Sequence, residues 1–406
     1  MDFTLSDEQQ LIKESVQDWC KRNLSMERVR NMEEDGHPFP ADIVEGLAEL
    51  GVLLGTVPEE EGGSGLDWVT QSLIAEELGY ADITGATVAG CMAVLTGWGY
   101  TFNKYASEKV KEEAVKPALS GEKFLGIAAT EPSGGSDVAA HESTAKKEGD
   151  EWILNGEKTF ISGVEEAQKW GGGYWVNVRT GDDEDEPAHR QMTSFYVPID
   201  AEGVEPQEPY RDVGREALST AGFRMEDVRV PDEYRLGEVN KGFYQTMEGF
   251  DNARILIAAG TAGVVRRILD EAKEYIKERE AFGQPIAKYE GIQFDLVDLY
   301  RELEELKLLV YKTAWMQDQR YENDKFEPTE VAKWISMCKL KGPELAVKAA
   351  NKAMHWLGAA GYNDEYPFEM AWRGNMSFSV GAEGARNIQK IVVGRELLGK
   401  DYVPYK

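Results

Sequence analysis

The stretch Glu151-Trp-Ile-Leu-Asn-Gly-Glu-Lys-Thr-Phe-Ile161 decides the fold class, because it interrupts a chain that is otherwise patterned for helices. Two strand-like runs flank Asn155-Gly156, a dipeptide typical of the tight turn in a β-hairpin. Further strand-like runs follow at 174–178, 194–197 and 222–230. The sequence therefore predicts a compact β domain that contains a hairpin at Asn155-Gly156.

Helical patterns precede this β region. They run from Ser6 to about residue 120, and segments such as 42–50 and 69–78 are separated by the break Gly62-Gly63-Ser64-Gly65. Glycine-rich breaks of this kind are typical of connections between helices. We therefore predict an all-α domain before the β domain.

Long helices return beyond Gly242. A stripe of apolar residues alternates spacings of four and three, which is typical of a helix packed in a bundle. Its members are Ile292, Leu296, Leu299, Leu303, Leu306 and Val310. Further helices are predicted over 330–357 and 384–398. The pattern predicts an α+β fold, with an N-terminal helical domain at 1–122, a middle β domain at 123–235 and a C-terminal four-helix bundle at 236–406.

Composition excludes several classes of partner. The chain has 406 residues, of which 42% are hydrophobic, and its net charge is −28. Such a charge argues against nucleic acid or an anionic membrane as a partner, because both would repel it. No apolar run approaches the roughly 18 residues that span a bilayer. Three cysteines and four histidines without ligand or disulfide spacing argue against a metal site and favour a reducing compartment.

The N-terminal residues Leu5-Ser6-Asp7-Glu8-Gln9 are typical of a helix start, with Ser6 as the cap and Gln9 reaching back to it. A signal peptide would show a basic and then an apolar stretch instead. We therefore expect a soluble protein of a prokaryotic cytoplasm, or a processed form.

The loop Thr130-Glu-Pro-Ser-Gly-Gly-Ser-Asp137 crowds backbone donors, hydroxyl groups and one proline into a short polar segment. Its two adjacent glycines let backbone N–H groups turn toward an anionic or electron-rich group, and Ser133 and Ser136 add side-chain donors. By itself, such a segment is more often an ordinary surface loop. The motifs that accompany it favour a ligand-binding loop.

Four further motifs follow in order along the chain. They are Trp152-Ile-Leu-Asn-Gly-Glu-Lys-Thr-Phe-Ile-Ser162, Arg279-Glu-Ala-Phe-Gly-Gln-Pro-Ile286, Leu357-Gly-Ala-Ala-Gly-Tyr362 and Ala382-Glu-Gly-Ala-Arg-Asn-Ile-Gln389. Together with the polar loop, they resemble the acyl-CoA dehydrogenase family. The resemblance extends from Asp2 to Glu396, so it covers essentially the whole chain.

This resemblance implies FAD as the cofactor. In the family, the loop matching Thr130, Gly135 and Ser136 holds the flavin ring together with the segment matching Phe160 and Ser162. Phe160 stands where Trp is frequent, and it can still stack on the ring. Ser162 stands where Thr is usual, and it keeps the hydroxyl donor.

The resemblance also implies that the adenosine-diphosphate half of FAD contacts Arg279 and Phe282, mainly from a neighbouring subunit, so we expect a homotetramer. A guanidinium suits a pyrophosphate because it offers a planar fork of donors. Gly358 matches a glycine that approaches the pyrophosphate, whereas Ala359 replaces a second glycine and His355 replaces the usual Gln. Without the resemblance, the arginine would more often form a surface ion pair.

The resemblance places the catalytic base at Glu383. In the family, the matching Glu removes the α-proton of an acyl thioester while the flavin accepts the β-hydride. A carboxylate in an apolar pocket has a raised pKa, which makes it a competent base. Without the resemblance, a Glu among small residues would more often be a charge at a helix N-terminus.

Substrate contacts are implied around this base. Asp251 and Arg254 match an Asp-x-x-Arg segment beside it, although by themselves they would indicate a helical ion pair. The other predicted substrate contacts are Ser136, Cys91, Ala382 and Gly384.

The acyl group is expected to be bulky and uncharged. Ala382 replaces a Tyr that is usual in the family, and Ala385 replaces a Thr, so both changes enlarge the pocket. The stretch 85–98, expected to line the acyl end, has no cation for a distal carboxylate of the glutaryl type. We therefore predict dehydrogenation of a cyclic, aryl or branched acyl-CoA, with electrons passed to electron-transfer flavoprotein. An enoyl-CoA reductase, an acyl-CoA oxidase or a binding module without cofactor are the alternatives.

Overall fold

The structure is a computed structural model that describes residues 4–183 and 185–404. Asp2 and Phe3, where the family resemblance begins, lie outside these residues. Within them the chain forms helices, then a β-sheet, then helices again, so the predicted α+β fold is confirmed. No helix of the described segments is both long and apolar enough to cross a membrane.

The N-terminal domain is helical. Its elements are α1 (Asp7–Asn23), α2 (Met26–Asp35), α3 (Ala41–Glu49), α4 (Trp68–Ala81), α5 (Trp98–Tyr105), α6 (Glu108–Val110) and α7 (Lys116–Leu119), with π-helical segments at Val88–Gly97 and Lys111–Val115. Ser6 and Gln9 form the predicted capping box, in which the Gln9 N–H donates to Ser6 Oγ at 3.1 Å. The helices predicted at 42–50 and 69–78 are α3 and α4.

The middle domain is built on one eight-stranded sheet, in which β1 pairs with β4 beside the main path β6-β7-β3-β2-β4-β5-β8. The strands are β1 (Phe124–Ala128), β2 (Thr144–Glu148), β3 (Glu151–Ser162), β4 (Gly172–Arg179), β5 (Met192–Pro198), β6 (Val204–Pro206), β7 (Thr220–Pro231) and β8 (Arg235–Leu236), with helix α8 (Val164–Trp170) between β3 and β4. The polar loop lies between β1 and β2.

The hairpin turn predicted at Asn155-Gly156 is wrong. β3 continues through this dipeptide and pairs with β7 on both sides of it, with a shift in register. The Asp227 N–H donates to Asn155 Oδ1 at 2.8 Å across the irregularity. Because β2 and β7 satisfy both edges of β3, the strand has no need to fold back. The backbone freedom of Gly156, whose φ is +144°, therefore serves a β-bulge.

The C-terminal domain contains three long helices and two shorter ones. They are α9 (Gly242–Glu278), α10 (Glu290–Asn323), α11 (Pro328–Leu357), α12 (Phe368–Val380) and α13 (Arg386–Leu398), and the short strands β9 (Glu280–Ala281) and β10 (Gln284–Pro285) join α9 to α10. α11 packs against the other four helices. In the predicted stripe of α10, Leu299, Leu303, Leu306 and Val310 are buried, whereas Ile292 and Leu296 are half-buried. The bundle is therefore confirmed, with α13 as a fifth helix packed on α11.

Candidate active site

Glu383 lies in the loop between α12 and α13, in a backbone conformation that glycine adopts more readily. Its φ is +56°, and that of Gly384 is +98°. A non-glycine residue in this region costs about 1–3 kcal/mol, so the surroundings must hold it there. Arg254 Nε donates to the Glu383 carbonyl oxygen at 2.8 Å. A side chain of α9 therefore holds the loop in this conformation.

Arg254 is positioned in turn by Asp251, which lies one turn earlier on α9. Arg254 Nη1 donates to Asp251 Oδ1 at 2.8 Å, and both residues are buried. The guanidinium also lies 5.3 Å from the centre of the Phe250 ring. Burial raises the pKa of Asp251, and the charge of Arg254 opposes this shift. The pair orients Arg254 toward the Glu383 loop.

Glu383 is half-buried as a whole residue, but its Oε2 atom is shielded from water. Burial raises its pKa to about 7, against the opposing effects of Arg254, Trp98, Lys339 and Arg215. Although the Trp98 indole acts on this carboxyl, neither Glu383 Oε2 nor Trp98 Nε1 has a hydrogen-bond partner among the described residues. A carboxyl that has one buried oxygen without a partner, and whose pKa is raised toward neutral pH, is suited to accept a proton.

Lys339, which the sequence analysis does not select, lies buried on α11 near this loop. Its Nζ donates to the Phe378 carbonyl oxygen in the last turn of α12. Burial lowers the pKa of Lys339 to about 7, and the charge of Arg254 adds to the effect. The sequence of α11 does contain a signal for this residue. Lys339 stands one helical turn after the buried Ile335, on a helix face whose other residues are apolar or small.

The polar loop is held by a buried ion pair at its base. Lys158 Nζ on β3 donates to Glu131 Oε1 at 2.7 Å and to the Asn177 carbonyl oxygen at 2.9 Å. Glu131 Oε1 also accepts the Ser143 N–H at 3.2 Å. The arrangement leaves Ser136 and its neighbours exposed above a rigid base. Sequence reasoning missed this pair, because Lys158 stands between Glu157 and Thr159 and no local pattern marks it as buried.

Phe160 and Ser162 lie at the end of β3, next to this loop. A second register shift in β3 gives Phe160 a φ of +55° and leaves its side chain 64% exposed. The ring stacks on Tyr210 with centroids 4.9 Å apart, and the Tyr210 hydroxyl lies 2.7 Å from Thr159 Oγ1. An exposed aromatic ring beside a loop rich in donors suits a planar, electron-rich ligand such as a flavin ring.

The structure places the other candidate residues apart from these. Arg279 lies just before β9, and Phe282 follows it with φ +51° and 98% of its side chain exposed. His355, Gly358 and Ala359 lie at the exposed C-terminal end of α11. Among the described residues, no hydrogen bond or ion pair joins either group to Glu383 or to the polar loop. Both groups lie on the exposed surface of this chain.

Of the remaining substrate candidates, Ala382 and Gly384 flank Glu383, whereas Cys91 is fully buried in the π-helix Val88–Gly97. The Gly384 site is tight, because a Cβ there would lie 3.0 Å from Arg254 Nη2.

Family models match nearly all of the chain. The acyl-CoA dehydrogenase N-terminal domain matches residues 6–122, the middle domain 126–228 and the C-terminal domain 240–398.

Similar proteins have the same length and fold. A probable acyl-CoA dehydrogenase of Bacillus subtilis is 34% identical over 98% of this chain and 100% of its own length. The caffeyl-CoA reductase-Etf complex subunit of Acetobacterium woodii is 32% identical over 97% of this chain and 99% of its own. The structure of butyryl-CoA dehydrogenase from Megasphaera elsdenii superposes with a TM-score of 0.88 at 27% identity, over 98% of this chain and 100% of that one. The chain belongs to the acyl-CoA dehydrogenase family, whose members are FAD-dependent oxidoreductases that act on CH–CH donors.

Proposed function

We propose that the enzyme converts an acyl-CoA to its 2,3-enoyl-CoA, with Glu383 as the base that removes the α-proton. The observation that carries this proposal is the state of the carboxyl. The residue is half-buried, its Oε2 atom is buried without a hydrogen-bond partner among the described residues, and desolvation raises its pKa to about 7. At neutral pH a large fraction is ionised, yet little of its basicity is lost to neighbouring donors.

The backbone of Glu383 contributes to the same step. Its N–H makes no hydrogen bond within the described chain, while the adjacent carbonyl oxygen is bound by Arg254. A free N–H next to the base is suited to donate a hydrogen bond to the thioester oxygen as that oxygen gains charge. Arg254 and Asp251 then act by holding the loop in the conformation that presents both groups.

FAD is held, in this proposal, by two separate groups of residues. Phe160 and Ser162 would hold the flavin ring, and the loop containing Thr130, Gly135 and Ser136 would donate hydrogen bonds to it. When bound, FAD supplies the acceptor for the β-hydride. The exposed stacking surface of Phe160 and Tyr210 supports this assignment, because it presents a flat face next to exposed donors.

The second group belongs to a neighbouring subunit in the proposed homotetramer. Arg279 and Phe282, with His355, Gly358 and Ala359 at the end of α11, would bind the adenosine-diphosphate half of FAD. The observation in favour is their exposure. Phe282 is 98% exposed with φ +51°, and a Cβ at Gly358 would meet no atom within 4 Å. Such an arrangement suits a partner surface better than it suits an isolated subunit.

The acyl group, in our proposal, is bulky and uncharged. Ala382 and Ala385 leave space on both sides of Glu383, and Ala382 is only partly buried. Cys91 and the rest of the π-helix form the proposed far wall, which has no cation. Ser136, in the polar loop, is proposed to contact the CoA moiety. A long, flat or branched group uses this space better than a short straight chain.

Electron-transfer flavoprotein is the proposed electron acceptor, and the cytoplasm the proposed compartment. The Acetobacterium woodii relative is named as a subunit of a reductase-Etf complex, which supports a partner of this kind. Cys20, Cys91 and Cys338 are free and buried, as suits a reducing compartment. The same relative is named a reductase, so reduction of an enoyl-CoA on this scaffold is the second candidate. Oxygen as the acceptor would make the enzyme an oxidase.

Anaerobic stopped-flow spectroscopy of the bound flavin tests the proposal. Straight, branched and cyclic acyl-CoA esters are mixed with the wild-type enzyme, with Glu383→Gln and with Glu202→Gln, an exposed carboxylate in the middle domain. We expect a cyclic or branched ester to bleach the flavin fastest. The rate should fall by about a thousandfold in Glu383→Gln and stay unchanged in Glu202→Gln.

Two results would contradict the proposal. Flavin that no saturated ester reduces, in an enzyme that reduces enoyl-CoA esters, would favour the reductase. Equal rates with butyryl-CoA and cyclohexanecarboxyl-CoA would exclude the preference for a bulky acyl group.

A further inference from the structure

Arg215 is a buried arginine whose guanidinium lacks a direct polar partner. The residue lies between β6 and β7, is 5% exposed and has a φ of +66°. Its Nε has no hydrogen-bond partner, and no carboxylate among residues 4–183 and 185–404 forms an ion pair with it. Its backbone N–H, in contrast, donates to Glu33 Oε1 at 3.2 Å. The backbone N–H of Arg215 therefore has a hydrogen-bond partner, whereas the guanidinium has none among the described residues.

A buried guanidinium without hydrogen-bond acceptors is unfavourable unless a ligand accepts its N–H groups. Burial lowers the pKa of Arg215, yet an arginine keeps its proton in proteins, so the charge remains. A buried donor without an acceptor costs about 1–3 kcal/mol, and more when it is charged. An unpartnered charged group at a binding site is commonly completed by substrate, which then gains affinity from the contact.

Arg215 lies between the loop that carries Glu383 and the π-helix Val88–Gly97. Its guanidinium is 6.0 Å from the centre of the Phe378 ring, in the last turn of α12, which leads into the loop of Glu383. Leu218, three residues later, approaches Gly90 of the π-helix, since a Cβ at Gly90 would lie 3.5 Å from it. The charge of Arg215 also acts on the Glu383 carboxyl. Arg215 therefore lies between the last turn of α12 and the π-helix that forms the proposed far wall of the acyl site.

The surrounding charges indicate a neutral ligand group. Asp212, Glu33 and Glu166 each act on Arg215 electrostatically, together with Glu383. They are already hydrogen-bonded elsewhere: Asp212 Oδ2 to Thr220 at 2.7 Å, Glu33 to Arg373 at 2.9 Å, and Glu166 to the Ser219 N–H at 3.1 Å. They offset the charge of the guanidinium without accepting its N–H groups. A ligand carboxylate would be repelled by these three, whereas a neutral oxygen would not.

We propose that Arg215 donates to an uncharged oxygen, a ketone or a hydroxyl, carried on the acyl group away from the thioester. The inference rests on the proposed binding of an acyl-CoA at Glu383, and it narrows the substrate class to bulky acyl groups that bear such an oxygen. On this proposal, the acyl site is not lined by apolar groups alone. The π-helix provides no cation, whereas the loop of the middle domain between β6 and β7 provides the guanidinium of Arg215.

Calorimetry with a matched pair of ligands tests this role. Cyclohexanecarboxyl-CoA and 4-oxocyclohexanecarboxyl-CoA differ by one oxygen, and 1,4-cyclohexanedicarboxylic acid mono-CoA thioester provides the charged comparison. Binding is measured with FAD-loaded Glu383→Gln enzyme, alone and with Arg215→Met or Arg211→Met. Arg211 is an exposed arginine of the same segment and serves as the control.

We expect the oxo ester to bind about tenfold more tightly than the hydrocarbon ester when Arg215 is present. The ratio should fall to about one in Arg215→Met and persist in Arg211→Met. The melting temperature of Arg215→Met without ligand should equal or exceed that of its parent, because an unpaired buried charge is removed. Arg215→Gln is measured in the same way as a second variant.

Four results would overturn the inference. They are an equal ligand ratio in the Arg215 variants and the parent, tightest binding of the carboxylate ester, loss of FAD from the Arg215 variants, and a marked fall in their melting temperature. The last two would assign Arg215 to the cofactor or to the fold. If the binding ratio holds while no ester reduces the wild-type flavin, the proposed dehydrogenation fails and the role of Arg215 stands.

Discussion

At the scale of single residues, the proposed chemistry depends on the contacts that hold Glu383 in a left-handed backbone conformation. Glu383 has φ +56°, and its carbonyl oxygen is bound by Arg254, whose guanidinium is bound by Asp251. The burial that raises the pKa of the carboxyl also removes the water that would otherwise compete for it. Conformation, position and basicity therefore depend on the same few contacts.

The raised pKa predicts the pH dependence of catalysis. Only the ionised carboxylate accepts the α-proton, so the rate of flavin reduction should rise with pH and level off above a pKa of about 7 in the free enzyme. Stopped-flow reduction at limiting substrate between about pH 5 and pH 9 measures it. A rate that is flat across pH 7, with no deuterium isotope effect from the α carbon, would contradict this assignment.

The same raised pKa predicts that the stability contribution of Glu383 falls as pH rises, whereas the rate of flavin reduction rises. Between its ordinary value of 4.5 and the folded value of about 7, the Glu383 carboxyl binds more protons in the folded state than in the unfolded state. Its contribution to stability is therefore lost as pH rises through this window. In Glu383→Gln, the melting temperature should fall less between pH 5 and pH 8 than in the wild-type enzyme. An equal fall in both would contradict the shift.

Gly384→Ala should damage catalysis more than folding. A Cβ at this position would lie 2.9 Å from Gln389 Nε2 and 3.0 Å from Arg254 Nη2, at φ +98°. Displacing Arg254 would release the loop, so we expect flavin reduction to slow on the order of tenfold to a hundredfold. Gly381→Ala is the control, because a Cβ there meets no atom within 4 Å. Equal rates in the two variants would rule out the loop contact.

At the scale of elements, strand β3 connects the polar loop to the sheet. Its two register shifts have different consequences: the one at Gly156 keeps the strand paired, and the one before Ile161 turns Phe160 outward. Bulges near binding sites commonly redirect a side chain in this way. β3 also carries Lys158, whose ion pair with Glu131 holds the base of the polar loop.

Lys158→Met should destabilise the middle domain and loosen FAD. The change leaves Glu131, which is 4% exposed, as a buried carboxylate without its counter-ion, and such losses cost about 3–5 kcal/mol. Urea unfolding followed by circular dichroism, with FAD content after gel filtration, measures both effects. Lys147→Met is the control, because its pair with Asp232 is exposed and should contribute less than about 1 kcal/mol. Adding Glu131→Gln to Lys158→Met should recover part of the loss, and no recovery would show that the pair acts differently.

At the scale of the whole molecule, net charge opposes compactness. The chain carries 73 acidic and 45 basic side chains, a net charge of −28. Repulsion among like charges destabilises the folded state when salt is low, and screening removes much of this penalty.

Salt should therefore raise the melting temperature. We expect a rise of several degrees between about 0.02 M and about 1 M KCl, most of it at the lower concentrations, where screening changes fastest. Sucrose at equal osmolality is the control for general exclusion effects. A melting temperature that responds equally to both would show that charge repulsion is not the cause.

The proposed homotetramer predicts that a substitution on the exposed apolar face of α10 weakens the association of subunits. Phe294, Val297 and Tyr300 are each more than half exposed in the single chain, which suits a helix face covered by another subunit. Phe294→Glu should give a smaller species by sedimentation velocity and lower its FAD content. Leu11→Glu, at an equally exposed apolar residue on α1, should leave both unchanged. Unaltered mass in Phe294→Glu would exclude this face as the interface.

The sequence by itself determined the family and the α, β, α order, because these depend on periodicity and on short motifs that are local in the chain. The tertiary structure decided what local pattern could not. Asn155-Gly156 became a bulge because β2 and β7 satisfy both edges of β3, and Lys339 and Arg215 act electrostatically on the Glu383 carboxyl from another helix and from another domain. Pairing partners and electrostatic neighbours depend on which distant segments meet, and that is set only when the whole chain packs.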